Sequence, residues 1–272
     1  MRWIVVSLLA AILTGPAVAV RAQAPTGLAA AVLADSGFTW LRQTVPGFRV
    51  YFQADTYPAR HQDSLLARLP PAARHAASML QVEPLPGPID VFFIESRGQM
   101  TRMIGRSATG FAQPSTGTVF LVTNPTWRAF ERHEIMHVVA ARAWGQPAPG
   151  NDWLMEGLAQ AADGRCGGYS NTGVMLALAE QRGWIPLATL LTDFRSQPDL
   201  RAYLQAASFV QDLLRRFGPE PLRRLWTQGA RPDSNVAGEP LEVREREWRA
   251  HLPAEPRPGP EELGYIELRG CG

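Results

Sequence analysis

Within Arg132-His133-Glu134-Ile135-Met136-His137, two imidazoles stand four positions apart and a carboxylate directly follows the first. On a helix, positions four apart share a face, so His133 and His137 can aim at one point in space. Two neutral imidazoles plus one further carboxylate make a ligand set for a catalytic zinc ion whose fourth position stays open for water. Glu134 is about a quarter-turn round from His133, near enough to take a proton from that water without ligating the ion. The third ligand must come from elsewhere. Glu156 is the candidate, within Trp153-Leu154-Met155-Glu156-Gly157-Leu158-Ala159, and 18 residues (138 to 155) separate it from His137. That length lets one helix end, turn, and send a second helix back past the first.

The elements that must position these groups have readable ends. Asn124 can cap the first helix, Pro125 suits its first turn, and Gly145 and Pro147 stop it. Its surface is apolar except for a narrow stripe of Arg128, Glu131, Arg132 and Arg142, the pattern of a largely buried helix. Two histidines and a glutamate on its inner side are costly unless something satisfies them, and a zinc ion would. Ala148 to Asp152 reads as a turn, with Asn151 or Asp152 capping a second helix that starts at Trp153 and runs to Asp163. Asp163 lies two turns beyond Glu156 on the same face. It could accept a hydrogen bond from a ligand histidine and fix its tautomer, the competing reading being a carboxylate at a helix end.

H-E-x-x-H, the 18-residue spacer and W-L-x-E-G-x-A resemble the gluzincin metallopeptidases, the superfamily that contains thermolysin and the membrane alanyl aminopeptidases. Downstream, Ile185-Pro186-Leu187, Ala202 to Val210, Phe217-Gly218 and Glu242 to Trp248 resemble the later helices of the small bacterial peptidase MA-like branch. The resemblance covers most of the chain beyond Gly47. It implies a zincin (thermolysin-like) catalytic domain with one zinc ion, His133, His137 and Glu156 as ligands and Glu134 as general base. Tyr203 matches the tyrosine that steadies the tetrahedral intermediate in the aminopeptidases. From spacing alone Tyr203 reads as core packing, and Tyr169 is the spare candidate. The strand Thr118-Val119-Phe120-Leu121-Val122 corresponds to the sheet edge that holds an extended substrate in gluzincins by main-chain hydrogen bonds, a plain core strand being the alternative. Two departures matter. The aminopeptidases' G-x-M-E-N stretch has no counterpart beyond a loose echo in Gly110 to Pro114, which favours an endopeptidase. Thermolysin's aspartate four residues after its ligand glutamate is Gln160 here.

The chain opens with Arg2, an apolar run from Trp3 to Leu13, a Gly15-Pro16 break and small residues, the pattern of a secretory signal peptide over residues 1–24. Candidate cuts follow Ala19, Ala22 or Ala24, with Ala22 favoured, and an uncleaved anchor is the alternative. The basic and acidic totals are 27 and 25, and removing Arg2 and Arg21 leaves 25 against 25. Nucleic acid or an anionic membrane surface would call for a basic excess, so neither is expected as a partner. All basic residues are arginine, a usage that points to a high-GC bacterium.

Residues 25–252 are expected to form one domain. Ala24 to Val45 reads as a loose arm with one short helix. Strands are expected at Arg49 to Phe52, Ile89 to Ile94, Gly110 to Ala112 and Thr118 to Val122, and a helix at Ala59 to Leu80 broken at Pro70-Pro71. Beyond residue 122 the pattern is helical. Strands first and helices afterwards give an α+β fold, a small mixed sheet packed on a mainly helical half. Two cysteines in an exported chain are expected to pair, so Cys166 and Cys271 would tie a Pro-rich tail (253–272) back to the loop behind the zinc site. Pro253 to Pro260 reads as an exposed linker. The expectation is an exported, periplasmic or extracellular, monomeric zinc peptidase acting on peptides or proteins. An inactive peptidase fold retained for binding is the rival.

Overall fold

A computed structural model describes residues 24–83 and 87–271. The signal-peptide stretch, with the candidate cuts after Ala19 and Ala22, lies outside the described residues. Five strands form one mixed sheet: β1 (Trp40–Val45), β2 (Phe48–Gln53), β3 (Ile89–Ile94), β4 (Gly110–Gln113) and β5 (Thr118–Val122), in the order β1-β2-β3-β5-β4. β2, β3 and β5 run parallel, and the two edge strands are antiparallel to their neighbours. The helices are α1 (Gly27–Ala34), α2 (Tyr57–Arg60), α3 (Gln62–Leu80), α4 (Arg97–Ile104), α5 (Glu131–Trp144), α6 (Asp152–Asp163), α7 (Asn171–Arg182), α8 (Leu187–Thr192), α9 (Asp199–Phe217), α10 (Pro219–Gln228), α11 (Leu241–Ala250) and α12 (Pro260–Arg269). The fold is α+β.

Both faces of the sheet are covered, which is why Val91 to Ile94 of β3 and Val119 to Val122 of β5 are continuous apolar runs rather than alternating ones. Side chains still alternate in direction. Val91, Phe93, Val119 and Leu121 join the main core with α3, α5 and the later helices. Phe92, Ile94, Phe120 and Val122 join a smaller cluster with Ala29 and Val32 of α1 and Met100 of α4. Among the described residues, no helix is long and apolar enough to cross a membrane.

Two local expectations are corrected. Trp40 to Val45 is not loose arm but strand β1, which pairs with β2 around a Pro46-Gly47 turn. Its side chains are mostly exposed, so burial imposes no apolar alternation. Pro70 and Pro71 do not break α3. They lie off the face made by Leu65, Leu69, Ala72, Ala76 and Leu80, which packs into the core and holds the helix through them. Residues 253–259 are irregular and mostly exposed, as the linker reading expects, with Pro258 buried; beyond them the tail forms α12, which contributes Leu263 and Ile266 to the main core.

Candidate metal centre and its cleft

α5 lies between the sheet, α3 and α6. It begins at Glu131, later than Asn124-Pro125 suggested. The Asn124 carboxamide instead accepts from Thr126 N (2.8 Å) and Trp127 N (3.0 Å), shaping the approach loop rather than capping the helix. α5 ends at Gly145 as expected. Asn151 occupies the N-cap position of α6 but does not bond to that helix with its side chain. Buried, it donates to Leu225 O (2.7 Å) and Trp226 O (3.1 Å) and accepts from Ala230 N (3.2 Å). The Trp226 indole donates to Gly145 O (2.9 Å). The α5–α6 turn is thus lashed to the end of α10, which fixes how α6 returns past α5.

Gly157 explains the residue after Glu156. A Cβ there would lie 3.0 Å from the Ala206 carbonyl carbon and 3.1 Å from its oxygen, so α6 can cross α9 this closely only without a side chain. The crossing turns Glu156 toward α5. Its Oε2 lies 3.3 Å from His133 Nε2 and 3.4 Å from His137 Nε2. The three ligand atoms all lie within 4.8 Å of one another, in a buried group that could hold a metal ion, and no second such group occurs among the described residues. Ligand atoms at about 2.0–2.1 Å around a tetrahedral ion are about 3.3 Å apart. The carboxylate-to-imidazole spacings match that edge length, so the donor set fits. Burial works against the charge of Glu156, but His137 and His133 outweigh it and hold the carboxyl well below its usual range.

Glu134 is buried beside this group. Burial pushes its carboxyl up to about 7; His133 opposes the shift, and the charges of Glu156 and Asp163 add to it. Gly110 of β4 lies directly against it, since a Cβ on Gly110 would be 2.3 Å from Glu134 Oε1. The sequence offered only the loose positional echo at Gly110 to Pro114 as a hint of this approach.

Thr118 to Val122 is not a substrate-holding edge. As β5 it is hydrogen-bonded on both sides, by β3 and β4, and every side chain is buried, so no further strand can join it. The edge beside the ligands is β4, and Gly110, Phe111 and Ala112 line the cleft. Asp163 also departs from expectation. It is buried at the end of α6 and pairs with Arg128, which comes just before α5; neither ligand histidine donates to it. Tyr203 does reach the cleft: its ring lies parallel to that of His133, with centroids 6.4 Å apart. Tyr169 donates instead to Glu262 at 2.6 Å, on the tail. Cys166 and Cys271 form a disulfide.

Arg195 is the residue that sequence reasoning passed over. It donates to Tyr203 Oη (3.1 Å) and Asp152 Oδ1 (2.8 Å), and its Nη2 lies 3.0 Å from Glu156 Oε1. Burial disfavours its charge, but Glu156, Asp152 and Tyr203 together raise its pKa. By engaging Oε1, Arg195 leaves Oε2 facing the two imidazoles, so the carboxylate would ligate through one oxygen. A lone arginine in Asp193-Phe194-Arg195-Ser196 carries no motif, so only the folded arrangement reveals it.

The cleft around these groups has a volume of about 1100 Å³, above the usual range for a small-molecule pocket. One wall comes from β4 and the loop before it, the other from the ends of α7 and α12 and the start of α9. No protein-family model matches the chain, and no curated protein is significantly similar to it.

Proposed function

We propose that the protein is an exported zinc-dependent peptidase, acting as an endopeptidase. The observation that carries this reading is the convergence of His133, His137 and Glu156 within 4.8 Å, the carboxylate oxygen at a tetrahedral edge length from both imidazoles, with the buried carboxylate of Glu134 beside them in a large cleft. Two imidazoles and one carboxylate favour zinc over hard, oxygen-seeking cations. Bound there, zinc would polarise the scissile carbonyl and acidify a water.

The protein's own groups supply the remainder. Glu134 accepts a proton from the attacking water and passes it to the departing amine, a task suited to a carboxyl whose pKa burial has raised. Tyr203 donates to the developing oxyanion, with Arg195 at its hydroxyl holding it in place. An extended peptide adds as a strand to the open edge of β4, which leaves the termini free and requires no recognition of a substrate amine. The apolar N-terminal stretch and the Cys166–Cys271 bond both support an oxidising, extracytoplasmic location.

The test is cleavage of a broad peptide mixture by the zinc-loaded protein and by Glu134→Gln. Internal cleavage that disappears in the variant while zinc is retained supports the reading. Zinc bound with no cleavage of any peptide favours a binding protein built on a peptidase fold. Tyr203→Phe should lower kcat by roughly 100-fold with little change in KM.

A further inference from the structure

The chain as a whole is close to neutral, yet the cleft is not. Six arginines line it (Arg97, Arg106, Arg182, Arg195, Arg201 and Arg269) against three carboxylates, Glu134, Glu156 and Glu267. Glu134 and Glu156 belong to the metal centre, and Glu267 pairs with Arg182. Arg195 is committed to Glu156 and Asp152. Four arginines remain without a carboxylate partner among the described residues. Arg97 donates to Ser107 O and Arg201 to Arg182 O. The Arg201 Nε is sealed from solvent and has no acceptor. Arg106 and Arg269 lie over the rings of Phe111 and Tyr265, and a guanidinium stacked on a ring keeps its hydrogen-bonding edge free for a carboxylate.

Their placement is two-sided. Arg97 and Arg106 belong to the sheet-side wall, Arg106 standing over a residue of the open strand β4. Arg201 and Arg269 belong to the opposite wall, at the start of α9 and the end of α12. A strand added to β4 would send alternate side chains toward different walls, so carboxylates at several positions would meet a guanidinium. Like charge gathered in a recess also concentrates ligands of the opposite charge there.

We propose that the cleft selects acidic peptides, those with aspartate or glutamate side chains on either side of the bond to be cut. This rests on the peptidase reading for its turnover but not for its binding. The probes are peptides blocked at both ends, one set rich in Asp and Glu and a matched set carrying Asn and Gln, with a neutral peptide bearing a free C-terminus as a third arm. With the zinc-loaded full chain, kcat/KM for the acidic set should exceed that for the neutral set by about 10-fold or more at low salt. The ratio should shrink as salt rises. It should fall several-fold in Arg97→Gln/Arg106→Gln and in Arg201→Gln/Arg269→Gln. Equal rates for the two blocked sets, a preference confined to the free C-terminus, or a preference untouched by all four substitutions would overturn it. If no peptide is cleaved, the peptidase reading fails, and binding of the same peptides to zinc-loaded Glu134→Gln decides alone. Tighter binding of the acidic set sustains the proposal, and equal binding ends it.

Discussion

The helix pair α5–α6 and the C-terminal segment 253–271 both border the same cleft, and they are held in opposite ways. α5 and α6 are buried almost throughout, set by close packing on α9 and by the Asn151 and Trp226 hydrogen bonds. The C-terminal segment lies on the outside, with Tyr265 56% and Leu268 84% exposed. Apart from Pro258, Leu263, Ile266 and the disulfide cysteine, it is held by polar ties: Tyr169 to Glu262 (2.6 Å), Arg182 to Glu267 (2.8 Å), Ser170 to Glu255 (3.2 Å) and Arg257 to Glu180. The Cys166–Cys271 bond adds a covalent tie. Exposed ion pairs of this kind contribute little individually. The candidate ligands are therefore positioned by the core, whereas the α12 part of the far wall leans on the disulfide staple and a few apolar contacts, and the two should be separable.

Removing the staple tests that separation with the largest expected effect on stability. The two cysteines are 105 positions apart; closing a loop of that order is worth about 5 kcal/mol in the chain-entropy model, and usually less in practice. Cys166→Ser/Cys271→Ser should lower the unfolding free energy by roughly 2–4 kcal/mol and expose residues 253–271 to proteolysis, while zinc stoichiometry stays at that of the wild type. Loss of zinc together with the staple would show that tail and centre form one unit.

Gly110→Ala probes the other side of the comparison. The three atoms nearest to the added methyl all belong to the Glu134 side chain, from its Cγ to Oε1, so that carboxylate must move while the backbone need not. Peptide cleavage should drop by about 100-fold, with zinc content unchanged and a melting temperature near that of the wild type. Gly157→Ala is the smallest perturbation. There the new methyl meets the Ala206 backbone, which cannot swing aside. Overpacking of this kind costs about 1–3 kcal/mol, and because it pushes α6 away from α9, zinc affinity should fall with stability. Chelator competition and thermal unfolding on the same preparations check both predictions.

The same contrast explains what the residue pattern revealed beforehand. β3 and β5 are legible because most of a strand covered on both faces must be apolar, as Val91 to Ile94 and Val119 to Val122 are. His133, His137 and Glu156 were legible because helical periodicity and a spacer of turn length constrain where three side chains can point. β1 was missed because an exposed edge strand has no such requirement, and α12 because only Leu263 and Ile266 face the core. Reading β5 as the substrate edge failed for a related reason: strand order is set by the crossovers, and a local pattern does not encode which strand ends up outside. Arg195 and Gly110 were invisible as site residues because each matters through one neighbour brought close by the fold.

The most direct test of the central claim is the zinc content of the purified full chain and of Glu156→Ala, measured by elemental mass spectrometry after dialysis against trace metal. The account predicts one zinc per chain in the wild type and close to none in the variant, with both proteins folded by circular dichroism. A wild-type chain that stays metal-free, or a Glu156→Ala chain that keeps its zinc, would contradict it.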